Sequence, residues 1–160
     1  MYRNKLNKIW NLIDKIKNDI NLSIISDFLE WFYEKINLNF IKERPDLVLN
    51  KWEVYLINLW KNIWSELNKN RPCLIISKTY FNKTNTTIVI PIKSYKWKSN
   101  RNTQIIIDLH FLHNKSIIDI LSIRQIDKKR INNYLWTVWK NNIMKVDKKL
   151  WRILWIKNKE

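Results

Sequence analysis

Arg71 is the residue of this chain best suited to hold a phosphate group. It precedes Pro72, which opens an apolar segment typical of a β-strand. Proline has no amide hydrogen to donate to a strand ladder and belongs at the first residue of a strand, so we expect Arg71 at the rim of a sheet, facing a ligand. Its guanidinium stays charged and can bind two phosphate oxygens at once. The alternative interpretation is a solvated surface charge.

Other polar residues of the chain have side chains that can act as acids, bases or hydrogen-bonding groups. Glu66 can accept hydrogen bonds from bases or orient a nucleophile, and a surface carboxylate paired with a lysine is an equally good interpretation. Lys93 and Ser94 stand together at the end of an apolar segment. His110 and His113 titrate near neutral pH, but we interpret them as strand-end and loop residues rather than general bases.

Short apolar strands would position these residues. Val, Ile and Tyr are concentrated in three segments joined by polar loops, at 53–59, 72–79 and 87–92. Two further strands are predicted at 104–110 and 117–123. Asp127 is expected to cap a short helix over 127–135, and a last helix opens at Asn142 with an apolar stripe for core or dimer contact. The fold class is therefore mainly β with helices (α+β).

The first 50 residues have a different pattern. Apolar residues recur at helical spacing over 4–20, and Asp27 with Glu30 resembles a capping pair that opens a second helix. A linker with Pro45 follows. We therefore predict a helical arm and linker at 1–50 and a separate domain at 51–160. The arm can pack on the domain, extend a dimer or bind a partner, and a packed helical hairpin is the favoured interpretation.

The charge of the chain favours an anionic partner. The formal net charge is +16 and the pI is about 10.0, which suits nucleic acid or an acidic protein; the codon usage of an A/T-rich genome would also enrich lysine. The basic segment 95–103, with Lys96, Lys98 and Arg101, is either an RNA contact or a solvated loop. Cys73 is alone, so no disulfide forms within the chain. No signal peptide, membrane span or metal-ligand spacing is visible, which predicts a cytoplasmic protein.

Several separated motifs occur in the order found in one known family. They are Glu53-Val54-Tyr55, Ser65-Glu66, Arg71-Pro72, Leu74-Ile75-Ile76-Ser77, Pro91-Ile92 with Ser94, and IIDILSIRQIDKKRI at 117–131. Through them the chain from Trp52 to about Leu154 resembles the MazF/PemK toxins of type II toxin-antitoxin systems. The resemblance implies an SH3-like small β-barrel, preceded here by the two-helix arm and ended by a C-terminal helix.

The same resemblance implies a function. Members of the family are metal-independent endoribonucleases (mRNA interferases) that cleave single-stranded RNA by attack of the 2′-hydroxyl, without a cofactor. They act as homodimers and are silenced by an acidic antitoxin. Carried over to this chain, the catalytic residues would be Arg71, Ser94 and Glu66, and the RNA-binding residues would be Ser65, Lys69, Lys93, Lys96, Lys98 and Arg101.

Three departures from the family pattern affect its chemistry. Lys93 replaces a threonine that follows Pro91-Ile92 in the family, Leu67 replaces a glutamine, and Leu121-Ser122 replaces a Glu-Gln pair. Lys93 can supply positive charge in place of the threonine, or it can mark a protein that no longer hydrolyses RNA. Two alternatives therefore stay open: a non-catalytic toxin of the same fold that binds a protein target such as DNA gyrase, and an RNA- or DNA-binding regulator.

Tryptophan stands where the family has glycine. Trp52, Trp60 and Trp64 occupy three such positions, and the chain has ten Trp and no Gly, although ordinary usage would give about eleven glycines. Large side chains at positions that need positive φ would be strained. This pattern indicates a UGA codon that the source organism reads as glycine. The alternative is a chain that uses tryptophan rings as core.

Overall fold

The computed structural model of the chain describes residues 2–16, 22–41, 43, 46–59, 70–95, 100–109 and 115–154. These fall into two compact units, Met1–Lys42 and Glu43–Glu160. The predicted division at residue 50 stays a prediction.

The first unit is helical. It contains α1 (Tyr2–Ile16), α2 (Leu22–Ile36) and a π-helical turn at Asn37–Ile41. The predicted capping of the second helix is wrong, because α2 begins five residues before Asp27 and includes it. Both helices keep large apolar side chains more than half exposed, namely Leu6, Ile9, Trp10, Phe28, Leu29, Phe32 and Tyr33.

The second unit is an antiparallel sheet with one helix. Its strands are β1 (Glu53–Asn58), β2 (Asn70–Ile75), β3 (Thr86–Ser94), β4 (Gln104–Ile107), β5 (Ser116–Asp119), β6 (Arg124–Asp127) and β7 (Ile131–Thr137), and α3 (Lys140–Ile153) follows. The strand order is β4-β5-β3-β2-β1-β7, and β6 also pairs with β3. The α+β fold class with a C-terminal helix is confirmed. Among the described residues the end strands β4 and β7 do not pair, so the barrel-like sheet is not closed.

The chain after β4 differs from the prediction. The strand expected at 117–123 is β5 followed by a 3-10 turn, Ile120–Ser122. Asp127 does cap the next segment, since its side chain accepts a hydrogen bond from the Lys129 amide. That segment is only a 3-10 turn, Lys128–Arg130, and the predicted helix over 127–135 is wrong. The residues that follow form β7 because they pair with β1, a contact too distant in sequence for a local helical pattern to reveal.

Both faces of the central strands are covered by apolar side chains. Leu74 of β2 packs in one cluster with Val54, Ile90 and Val146, whereas its neighbours Cys73 and Ile75 pack in a second cluster. This division follows from the alternation of side chains along a strand. The stripe of α3 covers the first cluster and is therefore core, through Ile143, Val146, Leu150 and Ile153.

A buried amide fixes the turn between β2 and β3. The side chain of Asn82 is 3% exposed. Its Nδ2 donates to the Leu49 carbonyl at 2.8 Å and to the Ser77 carbonyl at 3.3 Å. Its Oδ1 accepts from the hydroxyls of Ser77 at 2.5 Å and Thr87 at 2.8 Å. The amide is thus fully hydrogen-bonded, as a buried polar group must be.

The backbone at position 52 has the conformation that glycine favours. Trp52 has a φ of 78° and is the only described residue with positive φ. It is the third residue of a turn that the Glu53 amide closes on the Asn50 carbonyl at 3.3 Å. A negative φ at Lys51 followed by this positive φ is the φ pattern of a type II turn, whose third position favours glycine or asparagine. The geometry supports the glycine hypothesis at this position.

The tryptophan rings do not build the core. None of the six described tryptophans belongs to the buried set. Trp10 and Trp139 are each 62% exposed, and Trp52 only borders the first core cluster. The part of the chain that the structure describes therefore argues against the alternative of a tryptophan-rich interior.

Candidate functional site

Arg71 lies in the first half of β2 and is half-buried. The strand begins at Asn70, two residues before the predicted start at Pro72. At Pro72 the described pairing of β2 is with Leu56 of β1, whereas pairing with β3 begins only at Cys73. The missing amide of proline thus falls where β2 is locally an edge strand, which is where proline is tolerated. Arg71 is consequently placed at the margin of the sheet.

Lys93 and Arg71 belong to one face of the sheet by the alternation of side chains along β3 and β2. Cys73 pairs with Pro91, and two residues further along each antiparallel strand stand Arg71 and Lys93. Both therefore belong to the same face of the sheet. The ammonium of Lys93 is 3.3 Å from Asp119 Oδ2, and the same oxygen accepts a hydrogen bond from Gln104 Nε2 at 3.0 Å. The lysine that replaces the family threonine is thus held by an ion pair with a half-buried carboxylate.

Ser94 is the last residue of β3 and is exposed. It pairs with Ser116 of β5, which is buried. Because side chains alternate along a strand, Ser94 belongs to the face opposite Lys93. The role predicted for its hydroxyl beside Arg71 stays a prediction.

The remaining predicted site residues are spread over other parts of the chain. Arg101 is exposed in the turn before β4, and its carbonyl accepts a hydrogen bond of 2.6 Å from Lys149 of α3. The other predicted residues lie outside the described residues: Ser65, Glu66, Lys69, Lys96 and Lys98, together with His110 and His113.

Two arginines of the site were not singled out from the sequence. Burial raises the pKa of the Cys73 thiol to about 12, and the charges of Arg124 and Arg71 oppose that rise. Burial also lowers the pKa of Arg130, a change that Asp127 opposes and Arg124 reinforces. Arg124 of β6 pairs with Val89 of β3. Its charge acts on both Cys73 and Arg130. Both arginines lie in the segment 117–131, through which the chain resembles the family. The sequence of that segment could therefore have identified them as candidate site residues.

These positions concentrate positive charge on one part of the sheet. Arg71 and Arg124 share the sheet face of Cys73, which is fully buried in the second core cluster, and their charges oppose the rise in its pKa. Half-buried guanidinium groups bind phosphate more strongly than fully hydrated ones, because less water screens the attraction. The arrangement suits an anion with several oxygens.

The described residues contain neither a cluster of metal ligands nor a membrane-spanning helix. Over the described ranges, no three His, Cys, Asp or Glu side chains are grouped closely enough to hold a metal ion. No described helix combines the length and apolar character needed to cross a bilayer.

Comparison with known proteins places the chain in a family. The family model described as the PemK-like, MazF-like toxin of type II toxin-antitoxin systems matches residues 50–154. A search of curated proteins gives no match. The chain belongs to the PemK-like, MazF-like toxin family.

Solved structures share the fold. MazF from Deinococcus radiodurans aligns with a TM-score of 0.60 and 18% identity over 69% of this chain and 100% of its own. An endoribonuclease in complex with its cognate antitoxin, from a mycobacterial species, aligns with a TM-score of 0.56 and 17% identity over 68% of this chain and 97% of its own. A MazE-MazF structure from Deinococcus radiodurans aligns with a TM-score of 0.56 and 18% identity over 70% of this chain and 100% of its own. The resemblance to MazF/PemK toxins and its implied fold are thereby confirmed.

Proposed function

We propose that this toxin is a metal-independent endoribonuclease that cleaves single-stranded RNA. The observation that carries the proposal is that Arg71 and Arg124 share one face of the sheet: Arg71 alternates with Cys73 and Ile75 along β2, and Arg124 pairs with Val89, which pairs with Ile75. Membership of the toxin family and structural neighbours described as endoribonucleases support it.

The reaction needs positive charge aimed at phosphate oxygens. The 2′-oxygen attacks the adjacent phosphorus and loses its proton, while the 5′-oxygen leaves and gains one, which yields a 2′,3′-cyclic phosphate. Negative charge accumulates on the phosphate oxygens in the transition state, so fixed guanidinium groups lower the barrier. Arg71 is the proposed principal cation, and Arg124 supports it. Glu66 is proposed to orient the nucleophile. Because Ser94 belongs to the face of β3 opposite Lys93, no contact with the phosphate bound by Arg71 is proposed for it.

The partners follow from the same charge. Structural neighbours include complexes with antitoxins, and a basic surface attracts an acidic protein segment. We propose a cognate acidic antitoxin and a homodimer as the active form, with RNA bound along the basic surface.

The test is an RNA cleavage assay in EDTA on mixed single-stranded RNA. It compares the parent chain, Arg71→Ala, and Lys83→Ala as a control that removes one exposed charge from the turn before β3. The parent and the control should produce discrete fragments ending in cyclic phosphate. Arg71→Ala should be slower by roughly 100-fold or more, as for loss of one preorganised donor. Each protein should also be made with glycine at the ten tryptophan positions.

The Lys93–Asp119 ion pair favours one competing function, that of a non-catalytic toxin that binds a protein target. Where the family has a threonine hydroxyl, this chain has an ammonium committed to a carboxylate at 3.3 Å. A toxin that binds a protein target has no need of that hydroxyl. RNA that stays intact with the parent in both its tryptophan and glycine forms would contradict cleavage and support this non-catalytic alternative.

A further inference from the structure

A basic pocket lies between α3 and the edge strand β4. Its volume is about 280 Å³, and it is lined by Gln104 and Ile105 of β4 and by four cationic side chains of α3, Lys145, Lys148, Lys149 and Arg152. β4 is an end strand of the sheet, so the pocket is open to a ligand along that edge. It contains none of the residues predicted from the sequence to bind RNA.

The cations of this pocket share one face of α3. Positions 145, 148, 149 and 152 follow the spacing of i, i+3, i+4 and i+7, which keeps side chains on one side of a helix. The apolar stripe of α3 packs on the core instead. A helix rises 1.5 Å per residue, so the four charges span roughly 10 Å along the pocket. This is a row of charges suited to an extended anion.

The carboxylates near the pocket are already engaged. Asp147 is the single acidic residue of α3 and lies 3.4 Å from Lys51 Nζ. Asp119 receives hydrogen bonds from Gln104 and Lys93. No acidic side chain is among the described lining residues. The positive charge of the pocket is therefore not balanced within its own lining.

The pocket connects to the proposed cleavage site. Gln104 of the lining donates to Asp119 at 3.0 Å, and Asp119 pairs with Lys93 at 3.3 Å, which shares a sheet face with Arg71. Lys149 of the lining holds the turn that contains Arg101 through its carbonyl. The lining is thus linked to Lys93 and to the turn of Arg101 by hydrogen bonds.

We propose that this α3 pocket binds backbone phosphates of the RNA strand beside the bond that is cut. The inference rests on the proposed function for its ligand. No aromatic side chain is among the described lining residues, so bases have no stacking surface there. The contact is therefore electrostatic and independent of base sequence. It raises affinity for long substrates and leaves the chemical step unchanged.

The test separates binding from cleavage. Binding of a fluorescent RNA with 2′-O-methyl groups throughout, whose attacking hydroxyl is blocked, is measured by anisotropy over a range of salt concentrations. The parent is compared with Lys148→Gln/Arg152→Gln. The control is Lys78→Gln/Lys83→Gln, which removes two exposed charges outside the pocket. Circular dichroism verifies that all three proteins are folded.

Counterion release sets the expected size of the effect. Each lost phosphate contact should lower the slope of log affinity against log salt by about 0.7, or about 1.4 for the double variant. At about 0.1 M salt this corresponds to an affinity roughly 25-fold weaker, since each contact contributes about fivefold there. On cleavable RNA the variant should raise KM and keep kcat, and a short oligonucleotide should be cut equally by all three proteins.

Equal slopes for the pocket variant and the control would overturn the proposal. So would unchanged RNA binding combined with lost binding of a Glu-rich peptide, which would make the pocket a docking site for an acidic protein. The anisotropy measurement does not require turnover, so it tests the pocket independently of cleavage. If the proposed cleavage fails, the parent chain leaves the RNA intact in the cleavage assay.

Discussion

Replacing Trp52 with glycine should give a more stable protein than replacing it with alanine. Both substitutions remove the same indole, its packing on the first core cluster and its contact with Lys51, whose Nζ lies 4.1 Å from the ring centroid. They differ in the cost of a left-handed backbone and in the backbone entropy lost on folding. The comparison therefore isolates the φ of 78° at this position.

The magnitude follows from two opposing terms. A left-handed conformation costs a residue with a Cβ roughly 1–2 kcal/mol, which glycine avoids. Glycine loses about 0.5–1 kcal/mol more backbone entropy on folding. The turn cannot relax easily, because the Trp52 amide donates to the Ile75 carbonyl at 2.8 Å and its carbonyl accepts from the Val138 amide at 2.9 Å. The net preference for glycine should be about 0.5–1 kcal/mol.

Trp151 provides a matched control. It lies within α3 and is 42% exposed, so its backbone is helical. There alanine should be more stable than glycine by about 1 kcal/mol, the opposite order. Urea denaturation followed by circular dichroism at 222 nm would measure the free energy of unfolding of all four variants.

The reasoning is refuted if alanine and glycine follow the same order at both positions. Such a result would mean that residue 52 does not need positive φ in solution. The expected reversal would show that the fold requires glycine there, and would support the reading of this tryptophan as glycine in the source organism.

Two further predictions concern buried polar groups. The free energy of unfolding should fall as the pH rises from 9 towards 12, because the Cys73 thiol ionises from 9.0 upward in the unfolded chain but only near 12 when folded. Cys73→Ala should flatten this decline by up to about 1.4 kcal/mol per pH unit, measured by denaturation at stepped pH, and equal slopes would contradict it. Asn82→Ala should cost roughly 2–4 kcal/mol, because it leaves the Leu49 carbonyl and the Thr87 hydroxyl without this partner. Thermal denaturation beside the exposed Thr84→Ala measures it, and equal losses would argue against the network.

The central strands were predictable because their local pattern and their tertiary role agree. β1 and β2 carry apolar runs and β3 is rich in β-branched residues, and each strand lies within a few residues of its predicted bounds. β7 was missed for the opposite reason. The polar residues after Asp127 favoured a helix locally, whereas pairing with β1, more than 70 residues away in sequence, made the segment a strand.

The candidate site was predictable only where a short motif identified a residue. Arg71 was found through its proline neighbour. Arg124 and Arg130 stand in a segment whose local pattern indicates only secondary structure, and their place in the site depends on the pairing of β6 with β3. The Lys93–Asp119 pair joins residues 26 positions apart, and the α3 pocket joins a helix to a distant strand edge. Such contacts depend on strand order, which local periodicity does not specify.

Arg130 is a charged side chain that is partly buried. Burial lowers the pKa of Arg130, and the neighbouring charge of Arg124 lowers it further, while Asp127 only opposes the change. Holding two guanidinium groups close together in a partly desolvated place costs free energy that an apolar pair would avoid. A bound polyanion offsets this cost, because it neutralises both charges at once. The proposed function accounts for this cost, because its RNA ligand is such a polyanion.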